Sequence, residues 1–536
     1  MPTTVRDAAF DVLRRRGLTT LFGNPGSTEI PFLGGLPDDL RFVLALHEAG
    51  VVGMATGFAI GHDTPALALL HTTAGLGNAV GALATARVNR VPLVVLVGQQ
   101  DRRHLAFEPF LAGRLAGLAG EYPVAVVEPA LPQDVPDAIE RAFHAACTEH
   151  GPALVIVPMG DWDAPAAVDR EPAAATGALL QARAADLDTI AALGEFISEA
   201  NSPAIVVGAG AGEEETWAAL VDLAERLAAP VFQESFGARA GFPQDHQLFA
   251  GVLPADRTHL RQTLAPHDRV LVIGAPAFRQ MAYEPGRLTD PGTEVGVVTD
   301  DAGEAARSAA GLVVLAPLPA TCRALADSVP RRDGARTPVR ARRPRAAPPG
   351  EGEPLHARHV LAALAERLPA NAVVVEEAPA DRPAINELLP AREPLGYLAA
   401  AMGGLGFALP GAVGLRMAQP RRPVVAVVGD GAAVYTISAL WTAAHYRVGA
   451  LFVVLSNGGY AVMDILAERQ GTSGPWPGFP EVEIAAVARG FGCQARRIST
   501  HEELVAALDE VVPTLELRDE PLVIDVEITP TVAFEY

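Results

Sequence analysis

The sequence is 536 residues long, 49% hydrophobic and 20% charged, which is enough apolar chain for several cores and too much for a disordered one. Its 63 acidic side chains against 42 basic ones leave a net charge of −21, which disfavours nucleic acid and anionic membrane as partners. All 42 basic residues are arginine, so the chain forms no lysine Schiff base, which excludes pyridoxal phosphate chemistry and imine-forming aldolases, and it carries no P-loop.

The opening stretch MPTTVRDAAFDVLRRRG reads as an amphipathic helix rather than a signal peptide. Thr3 or Thr4 caps it, Val5, Ala8, Ala9, Val12 and Leu13 share one face, and Gly17 ends it. LFGNPGSTE, residues 21–29, then ends a strand in a Gly/Pro turn and starts a helix. Ser27 is a candidate N-cap there, and the turn also brings Asn24 and Ser27 to the carboxyl edge of the strand. Strands are predicted at residues 42–46, 66–70 and 92–97, with helices at 49–60 and 76–88 between them. Apolar strands separated by helices predict a parallel sheet covered on both faces. Glu48 is the one carboxylate in a long apolar stretch, as a first-turn dipole partner or as an acid in a dry cleft. His71 ends an apolar strand, as a satisfied core residue or as a catalytic group beside Ser27 and Glu48.

An Ala/Pro-rich seam at residues 163–184 leads into a second α/β unit, with strands predicted at 204–207, 270–273 and 294–298. GAGAGEEE, residues 208–215, departs from the GxGxxG fingerprint and runs into glutamates that repel a pyrophosphate, so dinucleotide binding is disfavoured. An arginine- and proline-rich linker at residues 331–354 precedes the third unit. That unit has strands predicted at 372–375, 424–428, 451–455 and 522–526, and helices at 405–417, 434–445 and 502–511. The expected fold class is α/β: three doubly wound parallel-sheet domains over residues 1–170, 185–330 and 355–536. Cys147, Cys322 and Cys493 match no disulfide or zinc spacing, and no apolar run reaches the roughly 18 residues of a membrane span. A cytoplasmic setting is the expectation.

The sharpest local signal is in the third unit. Gly429-Asp430-Gly431 ends one predicted strand and Asn457-Gly458-Gly459 the next, and in a parallel sheet both turns fall at the carboxyl edge. Asp430 and Asn457 then face one crevice as hard oxygen ligands, a carbonyl near Gly459 adds a third, and phosphate and water complete an octahedral Mg²⁺. The helix after Gly431 points its N–H groups at the same place, which favours a pyrophosphate.

Taken together, these residues resemble the thiamine-diphosphate-dependent decarboxylase family, most closely its benzoylformate decarboxylase branch. The stretches that carry the resemblance are FGNPGSTEIPFL, LHEAGVVGMATGFA, LHTTAGLGNAVGAL, VLVIGAPAFR, AAAMGGLGFALPGAVG and VVGDGAAVYTISALWTAAHY. The resemblance implies a pyrimidine-binding N-terminal domain, a central domain without flavin, and a C-terminal domain for diphosphate and Mg²⁺. It implies that Gly429, Asp430, Gly431, Ala432, Asn457 and Gly459 hold the diphosphate, with Mg²⁺ on Asp430, Asn457 and the Gly459 carbonyl. Glu48, with Asn24 beside it, meets the pyrimidine, Gly403 accepts from its amino group, and Leu405 is the wedge that bends the cofactor. An active site shared between subunits implies at least a homodimer, and the family is usually homotetrameric. The implied activity is non-oxidative decarboxylation of a hydrophobic or aromatic 2-oxo acid to an aldehyde and carbon dioxide. His71 is the implied acid/base, and Ser27 holds the substrate carboxylate or hydroxyl.

The sequence also departs from that pattern. Met281, which transfers no protons, stands where the family has a second active-site histidine, and Pro379 replaces a threonine near the cofactor. Val462, Met463 and Leu466 reshape the substrate pocket, and Ser456 replaces the first Asn of an Asn-Asn pair. Loss of the histidine raises the alternative of a carboligase or aldehyde lyase that makes or cleaves 2-hydroxy ketones. A nicotinamide oxidoreductase using the GAGAG turn and a non-catalytic partner subunit are further readings; Glu48, Asp430 and Asn457 argue against both.

Overall fold

The computed structural model describes residues 3–167, 171–177, 185–332, 348–350 and 352–531. Most of the expected linker at 331–354 and part of the seam at 163–184 therefore lie outside the described residues. Thr4 opens the first helix, Val5–Arg15: its hydroxyl accepts from the Asp7 N–H at 3.2 Å while the Asp7 carboxylate accepts from the Thr4 N–H at 2.9 Å. Val5, Ala9, Phe10, Val12 and Leu13 are its buried stripe, and Gly17, at φ +70°, turns the chain out of it.

Three six-stranded sheets follow, and their pairings are all parallel. The first contains β1 (Thr20–Asn24), β2 (Arg41–Leu44), β3 (Ala66–Leu70), β4 (Leu93–Gln99), β5 (Ala125–Val127) and β6 (Pro152–Pro158), in the order β2-β1-β3-β4-β6-β5. The second contains β7 (Pro203–Val207), β8 (Val231–Gln233), β9 (Phe249–Val252), β10 (Arg269–Ile273), β11 (Glu294–Thr299) and β12 (Leu312–Leu315), in the order β12-β11-β10-β7-β8-β9. The third contains β13 (Val373–Glu377), β14 (Tyr397–Ala399), β15 (Val424–Gly429), β16 (Leu451–Ser456), β17 (Gln494–Ile498) and β18 (Leu522–Glu527), in the order β14-β13-β15-β16-β18-β17. The first and third sheets thus share one strand plan. The second, read from its β9 edge, has the order of a dinucleotide-binding fold. The winding reverses between β1 and β3, between β7 and β10, and between β13 and β15, and a crevice opens at the carboxyl ends there.

The first and third units share a core that runs from Phe22, Val43 and Met54 to Val375, Phe407 and Phe452. Helices Glu48–His62 and Ala408–Ala418 make the join, backbone against backbone. A Cβ at Gly57 would lie 2.0 Å from the Gly411 carbonyl oxygen, and one at Gly414 would lie 1.9 Å from that of Met54. Only glycine permits that approach. No helix among the described residues is long and apolar enough to cross a membrane, and the three cysteines are free.

Three helices differ from expectation. The one predicted at 76–88 starts four residues earlier, at Thr72. The helix predicted at 405–417 starts at Ala408, because the chain before it is in a loop with Gly406 at φ +101°. The one predicted at 434–445 is broken into Asp430–Tyr435 and Ala439–His445. At the break the Thr436 hydroxyl donates to the Gly406 carbonyl at 2.9 Å, so the interruption and the loop hold each other.

Candidate active site

Two clusters of functional side chains form at the carboxyl ends of strands, the first where the winding reverses between β1 and β3, the second across the neighbouring strands β15 and β16. In the first sheet β1 ends on Asn24, and β3 hands over to His71, which precedes helix Thr72–Val88 as its cap residue. Glu48 opens helix Glu48–His62 and is only 8% exposed. A buried carboxylate needs donors, and it has two: Asn24 Nδ2 to Oε1 and Asn78 Nδ2 to Oε2, both at 3.0 Å. His71 lies close by; a Cβ at Gly75 would stand 3.4 Å from the His71 Cβ and 3.5 Å from the Glu48 Cγ. The His71 Nδ1 meets Glu29 Oε2 at 2.9 Å and the Thr28 hydroxyl at 3.0 Å. Ser27 begins a short 3₁₀ turn, Ser27–Glu29, and is exposed. It is not the N-cap: Gly26 occupies that position, and the Gly26 N–H donates to Glu29 Oε2 at 2.7 Å.

In the third sheet β15 and β16 are neighbours, so Asp430 and Asn457, each one residue past its strand, stand side by side. Asp430 Oδ1 accepts from the Gly431 N–H and Oδ2 from the Gly458 N–H, both at 2.7 Å. Asn457 Oδ1 accepts from the Gly459 N–H at 3.0 Å. Burial holds the Asp430 carboxyl above the usual carboxylate range, a cost that an adjacent divalent cation would reverse. The Ser456 hydroxyl donates to the buried Asp525, which also accepts from the Ala485 N–H and from Arg497. The Tyr460 ring lies against Gly431 and packs edge-on to Phe479 with ring centroids 5.2 Å apart. On helix Ala461–Arg469, Val462 and Leu466 are half-buried and Met463 is exposed.

The donors of this second cluster are side-chain and carbonyl oxygens with no thiol or imidazole, which fits a hard cation bound together with a phosphate. Among the described residues no group of three or more His, Cys, Asp or Glu is placed to hold a metal, so a metal here depends on Asn and carbonyl oxygens.

Beside Glu48, past its neighbours His47 and Ala49, runs a cleft of about 370 Å³ whose lining includes Asn78, Thr85, Leu405, Tyr435 and Thr436. Asn78, which holds Glu48, and Leu405 therefore share one cavity. The Leu405 loop is fixed from below by Glu377, the last residue of β13, whose carboxyl accepts from the N–H groups of Gly406, Phe407 and Ala408. Burial pushes that carboxyl up to about 7 against the pull of its three donors. Gly403, at φ +77°, begins the loop, and Pro379 is half-buried just beyond Glu377. Met281 lies in the second unit, 46% exposed, with its N–H on the Ala255 carbonyl.

At the GAGAG turn the backbone packs on a buried guanidinium: a Cβ at Gly210 would lie 2.4 Å from a nitrogen of Arg90, which pairs with Asp300. Glu29, Thr28, Asn78, Glu377 and Tyr460 were not singled out from sequence. Asn78 carried a signal, as a lone amide in the otherwise small and apolar AGLGNAVGAL; Glu29 stood in a quoted motif, but only as the end of a turn.

Three family models match the chain: thiamine pyrophosphate enzyme, N-terminal TPP binding domain, over residues 3–116; central domain over 190–325; and C-terminal TPP binding domain over 383–526. The chain is 40% identical to benzoylformate decarboxylase of Pseudomonas aeruginosa, over 98% of each protein. It is 26% identical to glyoxylate carboligase of Escherichia coli O157:H7, over 97% of this chain and 92% of that protein. Among solved structures it is similar to the thiamine diphosphate-dependent 4-hydroxybenzoylformate decarboxylase of Rhodococcus jostii, with a TM-score of 0.93 and 35% identity over 99% of this chain and 100% of that one. It is also similar to benzoylformate decarboxylase from Polynucleobacter necessarius, with a TM-score of 0.92 and 32% identity over 98% and 99% of the two chains.

Proposed function

The chain belongs to the thiamine pyrophosphate enzyme family, and from that premise we propose that it decarboxylates an aromatic or other hydrophobic 2-oxo acid to the aldehyde, without oxidation. It is a thiamine-diphosphate-dependent carboxy-lyase. The observation that carries this reading is the likeness, over nearly the whole chain, to decarboxylases of benzoylformate and 4-hydroxybenzoylformate. Bound thiamine diphosphate supplies a carbon nucleophile and an electron sink, which make loss of carbon dioxide feasible.

The chain's own residues do the rest. Asp430, Asn457 and the Gly459 carbonyl hold Mg²⁺, and the backbone from Gly429 to Ala432 receives the diphosphate. Glu48, oriented by Asn24 and Asn78, meets the pyrimidine, Gly403 accepts from its amino group, and Leu405 is the apolar wedge. His71 gives a proton to the substrate's 2-oxo oxygen and takes it back on release, and Ser27 holds the carboxylate. Leu405, Val462, Met463 and Leu466 keep water from the carboxylate, whose loss of charge is favoured in an apolar pocket. Residues 1–170, 185–330 and 355–536 act as the pyrimidine, central and diphosphate units. The working form is at least a homodimer, a homotetramer by family habit, in the cytoplasm. Met402 and Tyr435, exposed at the cleft rim, support a partner subunit there.

A second reading, carboligation of aldehydes to 2-hydroxy ketones, is favoured by Met281, which hands no proton to a substrate carbon. The test is carbon dioxide release from benzoylformate by protein supplied with thiamine diphosphate and Mg²⁺. Cofactor-dependent release is expected. No release, from protein that binds the cofactor and joins two aldehydes, would replace decarboxylation by carboligation.

A further inference from the structure

We propose that Glu29 is the positioning residue that fixes the proton-bearing state of His71; this rests on His71 being the group that moves a proton at the substrate oxygen. Glu29 is 1% exposed, yet it lies at the bottom of the first crevice, behind the imidazole. The fold makes room for it. A Cβ at Gly98 on β4 would fall 1.7 Å from Glu29 Oε1, so the strand omits a side chain where the carboxylate enters. Gly26 does the same for the ring, since a Cβ there would meet the His71 Nδ1 at 2.4 Å.

The hydrogen bonds around Nδ1 then assign its proton. The Thr28 hydroxyl donates to Glu29 Oε1 at 2.5 Å, so its lone pairs face the ring nitrogen 3.0 Å away. Glu29 Oε2 is the other neighbour, at 2.9 Å. Nδ1 faces acceptors alone, so it carries hydrogen. The neutral ring therefore keeps its lone pair on Nε2, the nitrogen left to take and return a proton. When Nε2 is protonated, the carboxylate 2.9 Å behind Nδ1 balances the imidazolium charge in a buried setting. The ionisable groups at this edge are Glu29 against the ring and Glu48 beyond Gly75.

Glu29→Gln is the probe. Oε2 accepts from both the Gly26 N–H and Nδ1, so a glutamine places its carbonyl oxygen there and keeps the ring orientation; the charge is removed, and the NH₂ in the Oε1 place turns the Thr28 hydroxyl from donor to acceptor. We expect kcat for carbon dioxide release to fall roughly 10- to 100-fold, with KM and thiamine diphosphate affinity within about twofold of the parent. In a His71→Ala background the same substitution should change kcat by less than about twofold, because Glu29 acts through the ring. A normal kcat in Glu29→Gln with His71→Ala impaired would overturn the proposal and leave the reading of His71 standing. Losses that multiply in the double variant would overturn it too. A His71→Ala protein with full kcat would overturn the reading of His71 and this proposal with it. Should Glu29→Gln not fold, histidine ¹⁵N shifts of the parent decide, with the His71 signals identified by their absence from His71→Ala. A protonated Nδ1 beside a bare Nε2 is expected, and the reverse tautomer would overturn the assignment.

Discussion

Two amides hold Glu48, and each comes from a different element: Asn24 from the end of β1 and Asn78 from the helix after β3. Glu48→Gln keeps an acceptor for one amide but sets its own NH₂ against the other. It should lower turnover by roughly 10²-fold or more while the unfolding midpoint stays near that of the parent. Near-normal turnover would remove Glu48 from the chemistry. Asp430 and Asn457 were legible in the sequence because each follows its own apolar strand directly and the strands are consecutive. Asn78 and Glu29 were not, because their partners lie 30 and 42 residues away. Such pairs depend on sheet order, which strand periodicity does not encode.

Among the elements, the helix pair Glu48–His62 and Ala408–Ala418 decides how the first and third units meet. Gly53, Gly57 and Gly61 recur every fourth residue on the first helix and face Pro410, Gly411 and Ala418 on the second. Gly57→Ala puts a methyl on a backbone carbonyl that has no rotamer by which to escape. We expect a loss of about 1–3 kcal/mol in denaturant unfolding, and a larger loss of activity than of fold, since Glu48 heads the same helix. An unchanged unfolding midpoint would show that the helices part without cost. The break in the helix predicted at 434–445 was illegible for a related reason: the run holds no proline or glycine to mark it, and its interruption depends on Gly406, in contact through Thr436 but 30 residues earlier.

At the scale of the whole molecule, two buried acids set a pH dependence. Burial raises Glu234 and Glu377 from the ordinary 4.5 to about 7. Both bind a proton more tightly folded than unfolded, so their contribution is full below about 4.5 and is lost as pH rises through about 7. His150 and His267, half-buried and lowered by desolvation, push the other way. The stability difference between the parent and Glu377→Gln isolates one share and should decline across that window. A difference constant with pH would put the Glu377 carboxyl back among ordinary acids. The shared strand order of the first and third sheets carries a last consequence. β3 and β15 hold the same place in their sheets, and the next residue after each is His71 or Asp430. The residue assigned to proton transfer and the residue assigned to the metal are therefore homotopic: one address in a duplicated blueprint, let to two tenants. What divides the labour is the side chain at that address, and a graft of one crevice's residues onto the other would carry its chemistry only as far as the neighbouring strand ends were exchanged with it.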